Sequence, residues 1–125
     1  MYRYPRPPVL AQIPIHRHAI LEASAGTGKT FTVEHLVVDR LLTADVSMSQ
    51  ILVVTYTEKA TAELKSRIRT LMETILSTAE RITDDSATLG GDDWWYFDEF
   101  GYQKLESELF GFDQAPIYTI HGFCN

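Results

Sequence analysis

The sequence has one cysteine, Cys124, among its 125 residues. A single thiol cannot form an internal disulfide, so an apolar core must hold the fold, and this usage is typical of a reducing compartment. No apolar run approaches the roughly 20 residues that a membrane-spanning helix requires, and the amino-terminal residues lack the apolar stretch of a secretory signal. Since 45% of the residues are hydrophobic, we expect one soluble, cytoplasmic domain at most.

Basic residues are scarce in the second part of the chain. Residues 1–79 hold nine Lys or Arg and seven Asp or Glu, a balance of +2, whereas residues 80–125 hold two and ten, a balance of −8, which together give the net charge of −6. A uniformly acidic protein would not favour nucleic acid. Residues 59–69, however, contain one acid, Glu63, and four bases that we name the basic strip: Lys59, Lys65, Arg67 and Arg69. This strip is a candidate nucleic-acid surface.

The hydrophobic pattern predicts an α/β fold. Residues 1–18, which are rich in Pro and basic side chains, are expected to form an irregular lead-in, and residues 19–125 to form the domain. Helices are predicted at 29–43, 58–79 and 94–109, and strands at 19–21, 51–57 and 116–119. The β-branched run 51–57 is typical of a strand buried on both faces. The alternation of strands and helices predicts a parallel sheet with helical crossovers.

A phosphate-binding loop is predicted at ASAGTGKT, between the first strand and the first helix. The usual pattern is GxxxxGK[ST], and here Ala23 replaces the first Gly. Gly26 and Gly28 permit a tight turn whose backbone N–H groups can surround an anion, and the helix dipole adds to that attraction. Lys29 can reach the β and γ phosphates, and Thr30 can place its hydroxyl on Mg²⁺.

We therefore predict Lys29 and Thr30 as catalytic residues, with Thr30 as the metal ligand. The predicted nucleotide-binding residues are Ala23, Ser24, Ala25, Gly26, Thr27, Gly28, Lys29 and Thr30. The plainer alternative is a Gly-rich strand-to-helix turn that carries GKT without binding a nucleotide. The loop alone does not separate kinases, GTPases and motors.

Two further segments place polar and aromatic residues where a predicted strand ends. In VVTYTEKATAELKSRIR, an outward Tyr56 beside Thr55, Thr57 and Lys59 would suit stacking and backbone contacts with single-stranded nucleic acid. In PIYTIHGFCN, Thr119 and His121 could contact a phosphate. The alternatives are a Tyr that caps the sheet above a solvated basic face, a helix-capping Thr and a packed His.

Three segments resemble motifs I, Ia and Ib of the UvrD/Rep-type superfamily 1 DNA helicases, and in particular the RecB-like branch, the β subunits of exonuclease V. They are AILEASAGTGKTFTV, ILVVTYTEKATAELKSRIR and IYTIHGFC, in the family's order. The resemblance implies a P-loop NTPase with part of a RecA-like domain. It places ATP phosphates on Gly26, Thr27, Gly28 and Lys29, Mg²⁺ on Thr30, and DNA at Thr55, Tyr56, Thr57, Thr119 and His121.

The sequence departs from the family pattern in two places besides Ala23. Tyr56 stands where Phe is frequent, and it keeps the stacking face while adding a hydroxyl. Some relatives read adenine with an upstream Gln, but neither Gln12 nor His16 aligns with it.

The segment WWYFDEF superficially matches a Walker B strand that ends in Asp98 and Glu99. In the family that strand follows the IYTIHGFC-like motif, whereas these acids precede it. The spacing of Trp95, Tyr102, Leu105 and Leu109 favours an amphipathic helix with its acids outside.

The resemblance implies an ATP-dependent DNA helicase that unwinds DNA in double-strand break repair and recombination, moving 3′ to 5′ with RecC-like and RecD-like subunits. The acidic Mg²⁺ strand, the sensor Gln and the arginines of a second RecA-like domain are not recognisable, nor is a nuclease-type carboxylate cluster. We therefore expect an incomplete domain that binds ATP better than it hydrolyses it. The alternatives are a stand-alone nucleotide-binding or regulatory module and a small P-loop kinase.

Overall fold

The computed structural model describes residues 1–12, 27–44, 46–83 and 93–119. Three α-helices lie in this part of the chain: α1 (Thr27–Thr43), α2 (Glu58–Thr78) and α3 (Glu99–Phe110). The strands described are β1 (Tyr2–Pro5), β2 (Val53–Thr55), β3 (Glu80–Arg81), β4 (Trp94–Phe97) and β5 (Ile117–Thr119). Short 3-10 turns lie at Pro8–Gln12, Met48–Gln50 and Phe112–Gln114. None of the three described helices has the length and apolar character needed to cross a membrane.

The two long helices follow the predicted pattern closely. α2 buries the apolar stripe that its period of three and four residues predicted: Leu64, Ile68, Leu71, Met72 and Ile75. α1 packs against it and buries Val33, Val37, Val38 and Leu41. These side chains form the centre of the core, to which Trp95, Leu105, Phe112 and Ile117 add from the later elements.

A parallel strand pair confirms part of the predicted sheet. β2 and β5 pair in parallel, with Thr55 beside Thr119. The expected burial of β2 on both faces is wrong, because α2 covers one face, while Leu52 and Tyr118 on the other are 51% and 44% exposed. The strand predicted at 19–21 lies outside the described residues.

The irregular lead-in predicted at residues 1–18 is wrong for residues 1–12, whereas residues 13–18 lie outside the described part of the chain. β1 occupies the centre of a second, antiparallel sheet, between β3 and β4. Proline is tolerated because β3 pairs only with Tyr2 and Arg3, so at Pro5 the strand β1 has a partner on the β4 side alone. Beyond it, Leu10 is fully buried in a 3-10 turn that packs on α1.

The helix predicted at 94–109 is wrong over its first four residues, which form β4. Trp95 and Phe97 are buried and Trp94 and Tyr96 are half-buried, the period of two that a strand requires. The helical spacing holds only from Glu99 onward. Asp98 separates the two elements as the N-cap of α3, since its carboxylate accepts the Gly101 N–H at 2.9 Å.

One phenol connects the antiparallel sheet to α3. Arg81 on β3 donates to the Tyr2 hydroxyl at 2.9 Å, and this hydroxyl donates to Glu99 Oε2 at 2.9 Å. The hydrogen bond to Tyr2 is the main cause that raises the pKa of the exposed Arg81 guanidinium above its usual value. The Tyr2 ring stacks on Phe97 and Tyr102 with centroids 5.5 and 4.9 Å away. β1, β3, β4 and α3 therefore form one packed unit.

A buried carboxylate joins that unit to α1. Asp39 is 0% exposed; its Oδ1 accepts from Arg6 Nε and Trp95 Nε1, and its Oδ2 from Arg40 NH1, each at 2.8 Å. Removing a carboxylate from water is costly, and three N–H donors, two of them charged, offset that cost. Among the described residues, every buried side-chain nitrogen and oxygen has a hydrogen-bond partner.

We predict that Asp39→Ala lowers the free energy of unfolding by about 3–5 kcal/mol, because it leaves two partly buried guanidinium groups without their anion. Urea unfolding followed by tryptophan fluorescence measures the change. The matched control is Asp113→Ala, which breaks an ion pair with Arg69 whose carboxylate is 89% exposed; it should cost less than about 1 kcal/mol. Equal losses in the two variants would contradict a special role for Asp39.

Candidate nucleotide and nucleic-acid site

The helix α1 begins inside the predicted phosphate-binding loop. Its first residue is Thr27, two residues earlier than predicted, so its first turn contains GKT. That turn carries no acidic side chain, so no carboxylate of its own opposes an anion at the positive end of the helix dipole. Thr30 is half-buried. The start of α1 has the anion-attracting character that a nucleotide phosphate requires.

The remaining predicted loop residues stay predictions. Ala23, Ser24, Ala25 and Gly26 lie outside the described residues, and for Thr27, Gly28 and Lys29 only the backbone is described. Within the described ranges, no group of three or more His, Cys, Asp or Glu side chains is arranged to hold a metal ion. The hydroxyl of Thr30 thus remains the predicted Mg²⁺ ligand.

An ion pair fixes the phosphate-loop helix to α2. Arg67 NH2 donates to Glu34 Oε1 at 2.7 Å, one turn beyond Thr30, and the Glu34 side chain is 8% exposed. A charge-assisted bond at a partly buried site restrains both helices more than an exposed pair would. The first turn of α1 is therefore held in a fixed orientation relative to α2, whose own first turn follows Tyr56.

Three threonines build the turn between β2 and α2. The Thr55 side chain is buried, and its hydroxyl hydrogen-bonds that of Thr61 and donates to the Thr57 carbonyl at 3.3 Å. Thr57 is the N-cap of α2, and its hydroxyl accepts the Ala60 N–H at 3.0 Å. These bonds satisfy polar groups of the strand end and the helix start without using solvent.

The threonine turn presents Tyr56 to solvent. The Tyr56 side chain is 61% exposed, and Thr57 and Lys59 beside it are exposed too. The sequence predicted Thr55, Tyr56, Thr57 and Lys59 as DNA contacts. The structure brings the four together but divides their roles, since the Thr55 hydroxyl lies inside and the other three side chains lie outside. Contact with DNA itself remains a prediction for all four.

The end of β5 lies directly beside this turn. Thr119 is buried next to Thr55 in the parallel register, and its hydroxyl donates to Glu58 Oε1 at 3.2 Å. His121 lies outside the described residues. Sequence reasoning missed Glu58; the available signal was its position in the first turn of α2, where a carboxylate is favoured by the helix dipole. Glu58 thus joins the two segments predicted to contact nucleic acid.

The basic strip is partly neutralised by the protein itself. Arg67 pairs with Glu34 and lies 3.8 Å from Glu63, while Arg69 pairs with Asp113 and lies over the Phe112 ring at 5.3 Å. Within the described part of the chain, Lys59 and Lys65 form no ion pair, and Lys59 is exposed. The candidate nucleic-acid surface is therefore narrower than the sequence suggested.

The Walker B alternative gains no support from the geometry. β4 belongs to the antiparallel sheet, whereas Tyr56 follows β2 of the parallel pair. Asp98 caps α3, and Glu99 accepts the Tyr2 hydroxyl. Both acids therefore serve local structure.

The comparison with known families assigns the chain to a group of helicases. A family model described as the UvrD/REP helicase N-terminal domain matches residues 9–125. The chain belongs to this family.

Individual relatives are subunits of one kind of enzyme. The chain is 36% identical over 129 residues to "RecBCD enzyme subunit RecB" of Haemophilus influenzae, 39% over 110 residues to that of Chlamydia trachomatis and 32% over 135 residues to that of Escherichia coli. These matches cover 90%, 83% and 90% of the chain. The chain spans about a tenth of the length of these curated relatives.

We predict that Thr57→Ala destabilises the β2–α2 junction by about 1 kcal/mol, because the Ala60 N–H at the start of α2 loses its acceptor. Thermal or urea unfolding of the variant measures this loss. Thr57→Ser, which keeps the hydroxyl, is the matched control and should stay within a few tenths of a kcal/mol of the parent. A loss of the same size for Ser would show that packing of the methyl group, rather than capping, matters here.

Proposed function

We propose that this chain is the ATP-binding segment of an ATP-dependent DNA helicase, within a P-loop NTPase domain of the RecA-like type. The observation that carries the proposal is the joint placement of two features in a chain of this family. α1 begins inside the GTGKT sequence, and Tyr56 is held out at the turn that opens the adjacent helix α2. A helicase needs a nucleotide site and a nucleic-acid site that are mechanically connected, and Arg67 with Glu34 supplies such a connection.

In the nucleotide site, each loop residue has a separate role. The backbone N–H groups of residues 23–30 and the start of α1 would surround the phosphates, and Lys29 would balance the charge of the β and γ phosphates. Thr30 would hold Mg²⁺, which neutralises phosphate charge when it is bound. The acid-free first turn of α1 supports this assignment, since a carboxylate there would repel the ligand.

In the nucleic-acid site, Tyr56 would stack on one base of single-stranded DNA. The side chains around it suit a phosphate backbone: Lys59 is exposed beside the ring, and Lys65 lies farther along α2. Thr57, Thr119 and His121 complete the proposed contacts. Because Thr119 is hydrogen-bonded to Glu58, a shift of the β5 end would be transmitted to the start of α2.

The proposed activity belongs to a longer polypeptide. The relatives are named as subunits of the RecBCD enzyme, so we propose RecC-like and RecD-like partner subunits, with single-stranded and double-stranded DNA as substrates in double-strand break repair. Phosphoryl transfer depends on groups from a second domain, and an arginine finger contributes about 10³–10⁵ in rate. The 125 residues alone are therefore expected to bind Mg·ATP without appreciable hydrolysis.

Lys29→Ala should abolish binding of Mg·ATP while the fold survives, because the variant loses the cation that faces the phosphates. Isothermal titration of the chain with Mg·ATP measures the affinity, and circular dichroism checks the fold. Lys65→Ala is the matched control: it also removes one lysine charge, but on α2, and should leave the affinity unchanged. If Lys29→Ala bound as tightly as the parent, the phosphate-loop assignment would have to be withdrawn.

Tyr56→Ala should weaken single-stranded DNA binding by the intact helicase by about 1–3 kcal/mol, the size of one base stack. Fluorescence anisotropy with a labelled oligonucleotide measures the change. Tyr56→Phe keeps the ring without the hydroxyl and should bind like the parent. An unchanged affinity in the Ala variant would remove Tyr56 from the site, whereas a loss in both variants would point to the hydroxyl instead of the ring.

A further inference from the structure

The helix α3 is firmly anchored through its inner face. Leu105 is fully buried, the Tyr102 hydroxyl donates to the Leu76 carbonyl at 3.0 Å, and Lys104 Nζ donates to the Leu41 carbonyl at 2.6 Å. Asp98 caps the first turn, and the Gly111 N–H closes the last by bonding the Ser107 carbonyl. The helix therefore presents its outer face in a fixed orientation.

That outer face carries two unusually exposed aromatic rings. Phe100 is 83% exposed and Phe110 is 94% exposed, more than any other large hydrophobic side chain in the described residues. At 100° and 1.5 Å per residue, the two rings lie about 15 Å apart along the axis, within about 80° of arc. Gln103 and Ser107 lie between them, so the four residues follow the i, i+3, i+7, i+10 spacing of a helix that docks in a groove. We name them the α3 stripe.

The charge around the α3 stripe restricts what can cover it. Glu99 and Glu106 are exposed along one side of the stripe, and residues 93–119 contain six acids and one base, Lys104. Two of these acids face a base from another element: Asp113 pairs with Arg69, and Glu99 shares the Tyr2 hydroxyl with Arg81, so Glu106 is the acid that gives this side its negative charge. Lys104 points its ammonium group to the end of α1 instead of the stripe. This field repels nucleic acid and anionic membranes, and it attracts a surface that carries Lys and Arg.

We infer that the α3 stripe is a docking surface for another protein, which offers an apolar groove bordered by Lys and Arg. Phe100 and Phe110 would insert as the two anchors, and Glu106 would set the orientation. Aromatic anchors held on a rigid element lose little entropy on binding, which makes them effective contacts. The α3 stripe lies on a different element from the proposed nucleotide and DNA sites, so this inference can be tested independently of the proposed function.

Site-specific photo-crosslinking in the full-length protein in its source cells tests this surface. p-Benzoylphenylalanine replaces Phe100 in one variant, Phe110 in a second, and the exposed Glu73 on α2 in a control. We expect positions 100 and 110 to crosslink to one segment of a different polypeptide, flanked by Lys or Arg in its sequence, and position 73 not to do so. Crosslinks within the same polypeptide, to a second copy, to unrelated segments, or to nothing would overturn the inference.

Affinity for the crosslinked partner, purified separately, gives a second measurement. Phe100→Ser and Phe110→Ser should each raise the dissociation constant at least about tenfold, and because both rings are exposed, the core should be unaffected. Glu106→Lys should weaken binding at low salt, whereas Glu73→Lys should not. Unchanged affinity in both Phe variants would overturn the inference. ATP and DNA binding by the same variants, measured alongside, should equal those of the parent, which separates this result from a failure of the proposed helicase function.

Discussion

The rest of the structure depends on the burial of one charge. Asp39 lies on α1 with no exposed surface, and its three donors come from the segment after β1, from α1 itself and from β4. A carboxylate in that position is tolerable only when all three donors are present, so the amino-terminal segment, the phosphate-loop helix and the β4 strand must assemble together. Proline-rich residues near the start of the chain thereby become part of the frame that orients α1.

Short polar contacts join the elements of the candidate site to one another. Glu34 and Arg67 join α1 to α2, the threonine turn shapes the end of β2, and Glu58 joins that turn to the end of β5. Each connection lies within two turns of a residue proposed to bind phosphate or DNA. These contacts would join the proposed nucleotide and nucleic-acid sites through packed helices and hydrogen bonds, and coupling between the two sites would require each contact to have two arrangements.

The structure places part of the uneven charge of the chain on two different helices, α2 and α3. Four of the nine bases of residues 1–79 lie on α2, where Arg67 and Arg69 are paired within the protein and Lys59 and Lys65 form no ion pair among the described residues. Of the acids of residues 80–125, Glu99, Glu106 and Glu108 lie on α3 and Asp98 caps it, and the same helix exposes Phe100 and Phe110. Opposite charges on separate helices would keep the proposed DNA contacts apart from the inferred docking surface.

The sequence by itself determined the family, the helices α1 and α2 and the parallel direction of the strands β2 and β5, because each rests on local spacing: the family motifs, a helical period, a β-branched run. Sequence reasoning did not predict the strands β1 and β4. Nothing in the local sequence around Pro5 or in the aromatic residues 94–97 indicates that these two segments pair with each other. Tertiary structure alone decided that Thr55 turns inward, that Arg67 and Arg69 are neutralised, and that Glu58 and Asp39 are essential contacts. These outcomes depend on contacts between residues that are distant in sequence. Burial sets the strength of the interaction between two charges, and it exists only after the chain has folded.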